Sequence, residues 1–288
     1  MAAVGNFASM SHMRRPNLFI PGAPRCGTTA MFELLGAHPE IFPSSIKEPH
    51  YFVPGHKRTL REYLDLFSGA TNERWLLEAT PHYLLVDDTP GRIREFSPDS
   101  KAIVMVRDPV ELLHSSHDLR KLIQREPDDL RTALGRADAE RYWRIGRLGE
   151  QLERLFGAFP RDDIHVVVYD DFAADNAAEY RRVLDFLDVN PDFTPRFRSV
   201  NPSGEARSAS LQRALWREDS GLKSAARTLL PRSLRTRAWK TLHHLNRRPR
   251  PRSPLDDEVA RTIWLRLEPD VAVLSRLLDR DLVALWRR

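Results

Sequence analysis

Residues Gly22-Ala-Pro-Arg-Cys-Gly-Thr-Thr29 keep the spacing of a nucleotide phosphate-binding loop, G-x-x-x-x-G-K-[ST], but Thr28 stands in place of the lysine. An apolar run, Leu18-Phe19-Ile20, precedes the loop and a helical pattern continues from Thr28. The loop therefore opens a helix, whose first amides and dipole hold an anion. Arg25 moves the positive charge into the loop itself, which suits a phosphorylated donor other than Mg·ATP. Cys26, the one cysteine of the chain, lies beside Arg25 at the helix start, where its pKa is expected to fall. It is either a reactive thiol or a small side chain in a tight loop.

Three further polar clusters follow short apolar runs: Lys47–Tyr51, Ala79–Tyr83 and Arg107–Ser115. Ligands of open parallel sheets bind outside the carboxyl ends of the strands. Brought to one cleft, these clusters supply a carboxylate (Glu48), an imidazole (His50), a second anion site at Arg107, and Lys47 as an additional cation.

Positioning these groups requires strands at 17–21, 75–78, 102–106 and 164–169, each a short apolar run bounded by turn or cap residues. The run Ile41-Phe42 is weaker. Helical patterns occupy 28–38, 60–67, 91–96, 110–124, 139–159 and 176–187, with Asp108-Pro109 as N-cap and first-turn proline. Strands alternating with helices predict an α/β fold with a mainly parallel sheet. From about Val200 the pattern becomes helices and loops without strands. Short helices at 211–216 and 234–245, an irregular connector at 247–254 and a closing pair at 258–267 and 269–278 complete the expectation. The division expected is a loose tail at 1–15 and one domain at 16–288, its core at 16–200 and a basic helical cover at 201–288.

The chain has 288 residues, 41% hydrophobic and 30% charged, with a net charge of +5. That length can bury a full α/β core. One cysteine excludes an intrachain disulfide framework, and no apolar run reaches the roughly 18 residues of a membrane span. The first fifteen residues lack a secretory core, and Met10 and Met13 are alternative starts; a cytoplasmic location is expected. Between Asp219 and Asp256 ten Lys and Arg residues follow one another without an acidic one. The 221–253 segment therefore contacts an acidic acceptor or a membrane surface, or is a solvated face. No nucleic-acid-binding motif accompanies it.

In order and spacing, these blocks resemble the sulfotransferases that use 3′-phosphoadenosine 5′-phosphosulfate, notably the bacterial and carbohydrate-acting branches related to heparan sulfate glucosaminyl sulfotransferases. The resemblance runs from about Pro16 to Val189. It rests on the first loop, Lys47-Glu-Pro-His-Tyr-Phe52, Glu78-Ala-Thr-Pro-His-Tyr83, Val106-Arg-Asp-Pro-Val-Glu111 with Ser115, Val168-Tyr-Asp-Asp-Phe172 and Phe186-Leu187. It implies a P-loop-like three-layer fold, a central mainly parallel sheet flanked by helices with a helical C-terminal segment. It further implies that Arg25, Cys26, Gly27, Thr28 and Thr29 hold the 5′-phosphosulfate, with Arg25 stabilising the departing phosphate. A separate 3′-phosphate site falls to Arg107 and Ser115, joined by Arg207. Glu48 is assigned as general base assisted by His50, with the roles exchangeable, and Lys47 as a cation near the transferred group. No metal is implied. Where the heparan branch carries lysine this chain has Ala79, so that role passes to Arg25, Lys47 or His82, while Tyr83 either faces the acceptor or packs. The acceptor is a hydroxyl of a carbohydrate, glycolipid or small metabolite, and the oligomeric state is open. Two other readings are a P-loop kinase or NTPase, against which Thr28 argues, and a non-catalytic nucleotide-binding adaptor.

Overall fold

The apolar run ahead of the first loop is a strand, β1 (Leu18–Gly22), buried along its whole length. In the computed structural model, which describes residues 14–123, 125–195, 204–206, 247–249 and 254–287, it is the centre of a five-stranded sheet. The others are β2 (Ile41–Pro43), β3 (Trp75–Ala79), β4 (Lys101–Val106) and β5 (Ile164–Val168), in the order β2-β3-β1-β4-β5 with every neighbouring pair parallel. The expected strands are present with ends displaced by a residue. The weak run at Ile41 is a real edge strand, paired through Ile41 to Trp75.

From β1 the chain moves to one side of the sheet, towards β3 and β2, and from β4 to the other, towards β5. Connections leaving the adjacent carboxyl ends of β1 and β4 in opposite directions open a crevice between them, the place where such sheets bind ligands. Both arginine-bearing loops, 22–28 and 107–108, emerge there.

The helices are α1 (Thr28–Leu35), α2 (Leu60–Leu64), α3 (Thr89–Phe96), α4 (Pro109–Leu122), α5 (Leu130–Gly135), α6 (Glu140–Gly146), α7 (Leu148–Ala158), α8 (Tyr169–Ala174), α9 (Asn176–Leu187), α10 (Asp257–Leu278) and α11 (Leu282–Trp286). On one face α1 and α9 are linked by the Tyr180 hydroxyl donating to the Leu34 carbonyl at 3.2 Å. On the other, α3, α7 and a 3-10 turn at Pro81–Leu85 pack together. No described helix is long and apolar enough to cross a membrane.

Two helical expectations are corrected by contacts with α10. The pattern at 139–159 is two helices, α6 and α7, broken at Arg147. The Asp270 carboxylate of α10 accepts the Gly149 and Glu150 amides at 2.8 and 2.9 Å, which gives α7 a capped start of its own. The closing pair split at Pro269 is one helix of 22 residues. An interior proline costs about 3 kcal/mol. Burial of Val259, Ile263, Trp264, Leu267, Val271 and Leu274 on one face, at about 1.5–3 kcal/mol for each large side chain, outweighs it. The end of the chain also grips α8: Trp286 Nε1 donates to Asp170 at 3.0 Å, and Arg280 forms a two-pronged pair with Asp171.

The C-terminal third is not free of strands. Gly204–Ala206 (β6) and Arg247–Pro249 (β7) form an antiparallel ribbon, so 247–249 is not irregular. Three-residue strands show no alternation to detect, and the partners lie some forty positions apart in sequence. Arg207, the short helices expected at 211–216 and 234–245, and the basic segment 221–253 apart from β7 lie outside the described residues.

An ionisable group is fully enclosed next to the cleft. Glu78 on β3 accepts hydroxyl hydrogens from Tyr63 at 2.5 Å, Thr80 at 2.7 Å and Tyr83 at 3.2 Å. Burial pushes its pKa up to about 7 against the opposing pull of those hydroxyls. The folded chain thus keeps a proton that the unfolded chain releases near 4.5, so stability is full below pH 4.5 and declines as pH rises towards 7. Thermal unfolding of Glu78→Gln is expected to show a smaller loss of Tm between pH 5 and pH 8 than the parent chain; an equal loss would place the responsible proton elsewhere.

Candidate active site

The loop after β1 is shaped by backbone before side chains act. Pairing with β4 shifts register between Phe19 and Gly22, and the Ala23 amide donates to the Met105 carbonyl at 2.9 Å, carrying the loop over the end of β4. A Cβ at Gly22 would come within 2.2 Å of Leu84, so only glycine lets the 81–85 turn cross here. Arg25 and Gly27 adopt left-handed φ of 65° and 95°, and Gly27 is the N-cap of α1. The first helical bond, Met31 amide to Gly27 carbonyl at 3.2 Å, leaves the Thr28 and Thr29 amides ahead of it at the loop mouth. Thr28 is buried and Thr29 half-buried.

Cys26 corrects the expectation of a lowered thiol pKa. The side chain is fully enclosed, and burial pushes its pKa up to about 12 despite the nearby Arg107 and Arg25 charges. Its amide is committed to the Ala23 carbonyl at 3.3 Å. The residue is a small filler that shapes the loop, without nucleophilic character.

The residues expected to form two separate anion sites are linked to one another. Arg25 Nε donates to Ser115 Oγ at 3.0 Å, across from β1 to α4. Arg107 Nη1 donates to the Arg25 carbonyl at 3.3 Å, and its other arm meets Glu111 at 3.4 Å. Asp108, beside it, caps α4 through the Val110 amide at 2.8 Å. The Arg107 guanidinium lies over the Tyr169 ring, 4.4 Å from its centre. The same ring borders Gly27, where an added Cβ would sit 3.3 Å from it. Tyr169 is thus a floor shared by both arginine loops. The block Val168-Tyr-Asp-Asp-Phe172 marked its position in sequence, but nothing there pointed to this contact.

The third component comes from the neighbouring strand ends. The Glu48 amide donates to the Ala79 carbonyl at 2.9 Å, fixing the loop after β2 to the end of β3. Glu48 and His50 both adopt left-handed backbone, φ 61° and 56°. Apart from Arg25, the only other described non-glycine residues there are the helix caps Asp188 and Asp279, so this uncommon geometry concentrates at the cleft. Lys47 Nζ meets Glu48 Oε1 at 2.7 Å, while Glu48 Oε2 lies 3.8 Å from His50 Nε2. Burial raises the Glu48 pKa, but the Lys47 charge and hydrogen bond, with His82 and His50, bring it below 4.5 overall. Burial and the His82 charge hold His50 below 6.5 against the pull of Glu48. At neutral pH the Glu48 carboxylate is ionised and the His50 imidazole uncharged, so each has a lone pair able to accept a proton.

Ala79 is buried, and the side chain delivered next to Glu48 from that strand end is His82, its ring 5.5 Å from His50. One ligand atom each of Glu48, His50 and His82 lies within 4.8 Å of the other two. Tyr83 is fully buried against Glu78 and accepts from the Phe52 amide at 3.4 Å; it is a packing residue. The structure therefore assembles Arg25, Gly27, Thr28, Thr29, Arg107 and Ser115 on one side, with Lys47, Glu48, His50 and His82 on the other.

Residues 15–203 match the family model described as sulfotransferase domain. The chain is 30% identical over 199 residues to mouse heparan sulfate glucosamine 3-O-sulfotransferase 3B1, covering 66% of this chain and 50% of that protein. It is 32% identical over 184 residues to the human heparan sulfate glucosamine 3-O-sulfotransferase 6, covering 60% and 52%. The chain thus spans about half the length of these curated relatives. A sulfotransferase structure from Alicyclobacillus acidocaldarius superposes with a TM-score of 0.72 at 26% identity, covering 96% of this chain and 100% of that one. With the family model laid over the β1–β5 core and both arginine loops, the chain belongs to the sulfotransferase domain family.

Proposed function

We propose that the chain transfers a sulfuryl group from 3′-phosphoadenosine 5′-phosphosulfate to a hydroxyl of a carbohydrate. The observation carrying this reading is the junction of a helix-start anion site with a second arginine–serine site, beside a carboxylate–imidazole pair. The donor set suits a nucleotide phosphorylated at both ends: the Thr28 and Thr29 amides with Arg25 take the 5′ end, and Arg107 with Ser115 the 3′ phosphate. Arg107's present bonds of 3.3 and 3.4 Å are long beside the roughly 2.7–2.9 Å of charge-assisted pairs, so a phosphate offers it better partners. The names of the curated relatives support a carbohydrate acceptor; a glycolipid or small hydroxylated metabolite is served by the same chemistry.

Glu48 takes the acceptor proton as the acceptor oxygen bonds to sulfur and the sulfur–phosphate oxygen bond breaks. Arg25 stabilises the charge left on the phosphate. Lys47 suppresses the basicity of Glu48 while bonded to it, so swinging towards the transferred group both adds a cation there and strengthens the base. His50 and His82 orient the carboxylate.

Arg107→Gln is expected to weaken adenosine 3′,5′-bisphosphate binding about 10–100-fold, the loss of a charged hydrogen-bonded contact, with ADP affinity unchanged. Calorimetry with both nucleotides checks this, and equal losses would deny Arg107 the 3′ phosphate. Glu48→Gln should lower kcat by about 10²–10⁴ with nucleotide affinity retained. Because the ionised form of Glu48 is the active one, kcat/KM should fall only as pH drops below 4.5. His50→Asn should leave that acid limb in place; its removal by His50→Asn would transfer the base role to His50.

A further inference from the structure

We propose that Glu48, His50 and His82 form a binding site for a divalent transition-metal ion, of which Zn²⁺ is the representative, and that its occupancy arrests transfer. The site joins two loops: Glu48 and His50 follow β2, and His82 follows β3. Their ligand atoms lie within 4.8 Å of one another. Zinc holds nitrogen and oxygen ligands at about 2.0–2.2 Å, which brings ligand atoms to about 3.5 Å separation, so closing the set takes about 1 Å of side-chain movement. Glu48 Oε2 and His50 Nε2 are already 3.8 Å apart. His82 is exposed and His50 partly so, leaving both rings room to turn.

The ligand chemistry selects the ion. Two imidazoles and one carboxylate suit Zn²⁺, Cu²⁺ and Ni²⁺, whereas Mg²⁺ and Ca²⁺ take oxygen-rich shells. Lys47 engages Glu48 through Oε1 at 2.7 Å, on the opposite oxygen from the imidazole, so the salt bridge does not occupy the ligand atom. Three protein ligands leave a fourth tetrahedral position for water. Binding itself depends only on this geometry. The arrest rests on the proposed role of Glu48: a dication on its Oε2 blocks that oxygen and withdraws charge from the carboxylate, so Oε1, held by Lys47, is too weak a base to take the acceptor proton.

Full-length protein stripped with a chelator is titrated with Zn²⁺ against a chromophoric competitor, in the parent chain, His82→Asn and His50→Asn. The chain has ten histidines, so the difference between proteins is the readout. One site of the parent should weaken at least tenfold in each variant, and Mg²⁺ in excess should not displace the zinc. Equal zinc titrations of all three proteins, or displacement by Mg²⁺, would overturn the site. In parallel, labelled-donor transfer should fall as that site fills and recover on chelation. Zinc bound at the site with transfer undiminished would overturn the arrest and remove Glu48 from the base role, whereas failure of the parent chain to transfer at all would count against the proposed reaction and leave the binding result standing.

Discussion

Two arginine-bearing loops tied together at the carboxyl ends of adjacent strands are the constraint around which this molecule is arranged. Like charges gathered in one cleft repel, and the fold gives each a specific set of contacts. Arg25 Nε is bonded to Ser115, and Arg107 rests on the Tyr169 ring with Glu111 and the Arg25 carbonyl as partners. The Ser115 hydroxyl, the Arg25 carbonyl and the Tyr169 ring are neutral partners, and the carboxylate partner Glu111 is held at a long 3.4 Å. An incoming dianion can offer Arg107 a closer, charge-assisted contact than the one it makes with Glu111.

Much of the remaining architecture serves that pairing. β1, the central strand, and its neighbour β4 have opposite crossovers, so their loops meet without a long excursion. Gly22 lets the 81–85 turn cross β1, and the same segment delivers His82 beside Glu48. Behind Tyr169, the carboxylates of Asp170 and Asp171 are tied to Trp286 and Arg280. The C-terminal helices therefore brace the floor beneath both arginine loops from outside the sheet. Their main support in turn is the apolar face of α10 and the Asp270 cap on α7.

How much of this could be read from sequence depended on whether the cause was local. β1, β3, β4 and β5 announced themselves as buried apolar runs, and the Asp108-Pro109 cap of α4 was evident from residue type alone. The loops carrying Arg25, Glu48, His50 and Arg107 were legible because each follows a strand. Non-local causes were invisible: the break at Arg147 and the continuity across Pro269 both follow from contacts between α7 and α10, over a hundred residues apart. The thiol of Cys26 was misjudged for a related reason. Sequence shows its charged neighbour, but the enclosure that governs its proton comes from the folded loop. Tyr169 beneath Arg107 and the bond from Arg25 to Ser115 likewise required the sheet to bring the distant segments together.

The most direct measurement is a crystal structure of the protein soaked with adenosine 3′,5′-bisphosphate. The account predicts the 5′ phosphate on the Thr28 and Thr29 amides and Arg25, and the 3′ phosphate bonded to Arg107 and Ser115, with Arg107 drawn off Glu111. A nucleotide seated away from the β1/β4 crevice, or bound there with its 3′ phosphate in solvent and Arg107 still on Glu111, would contradict it.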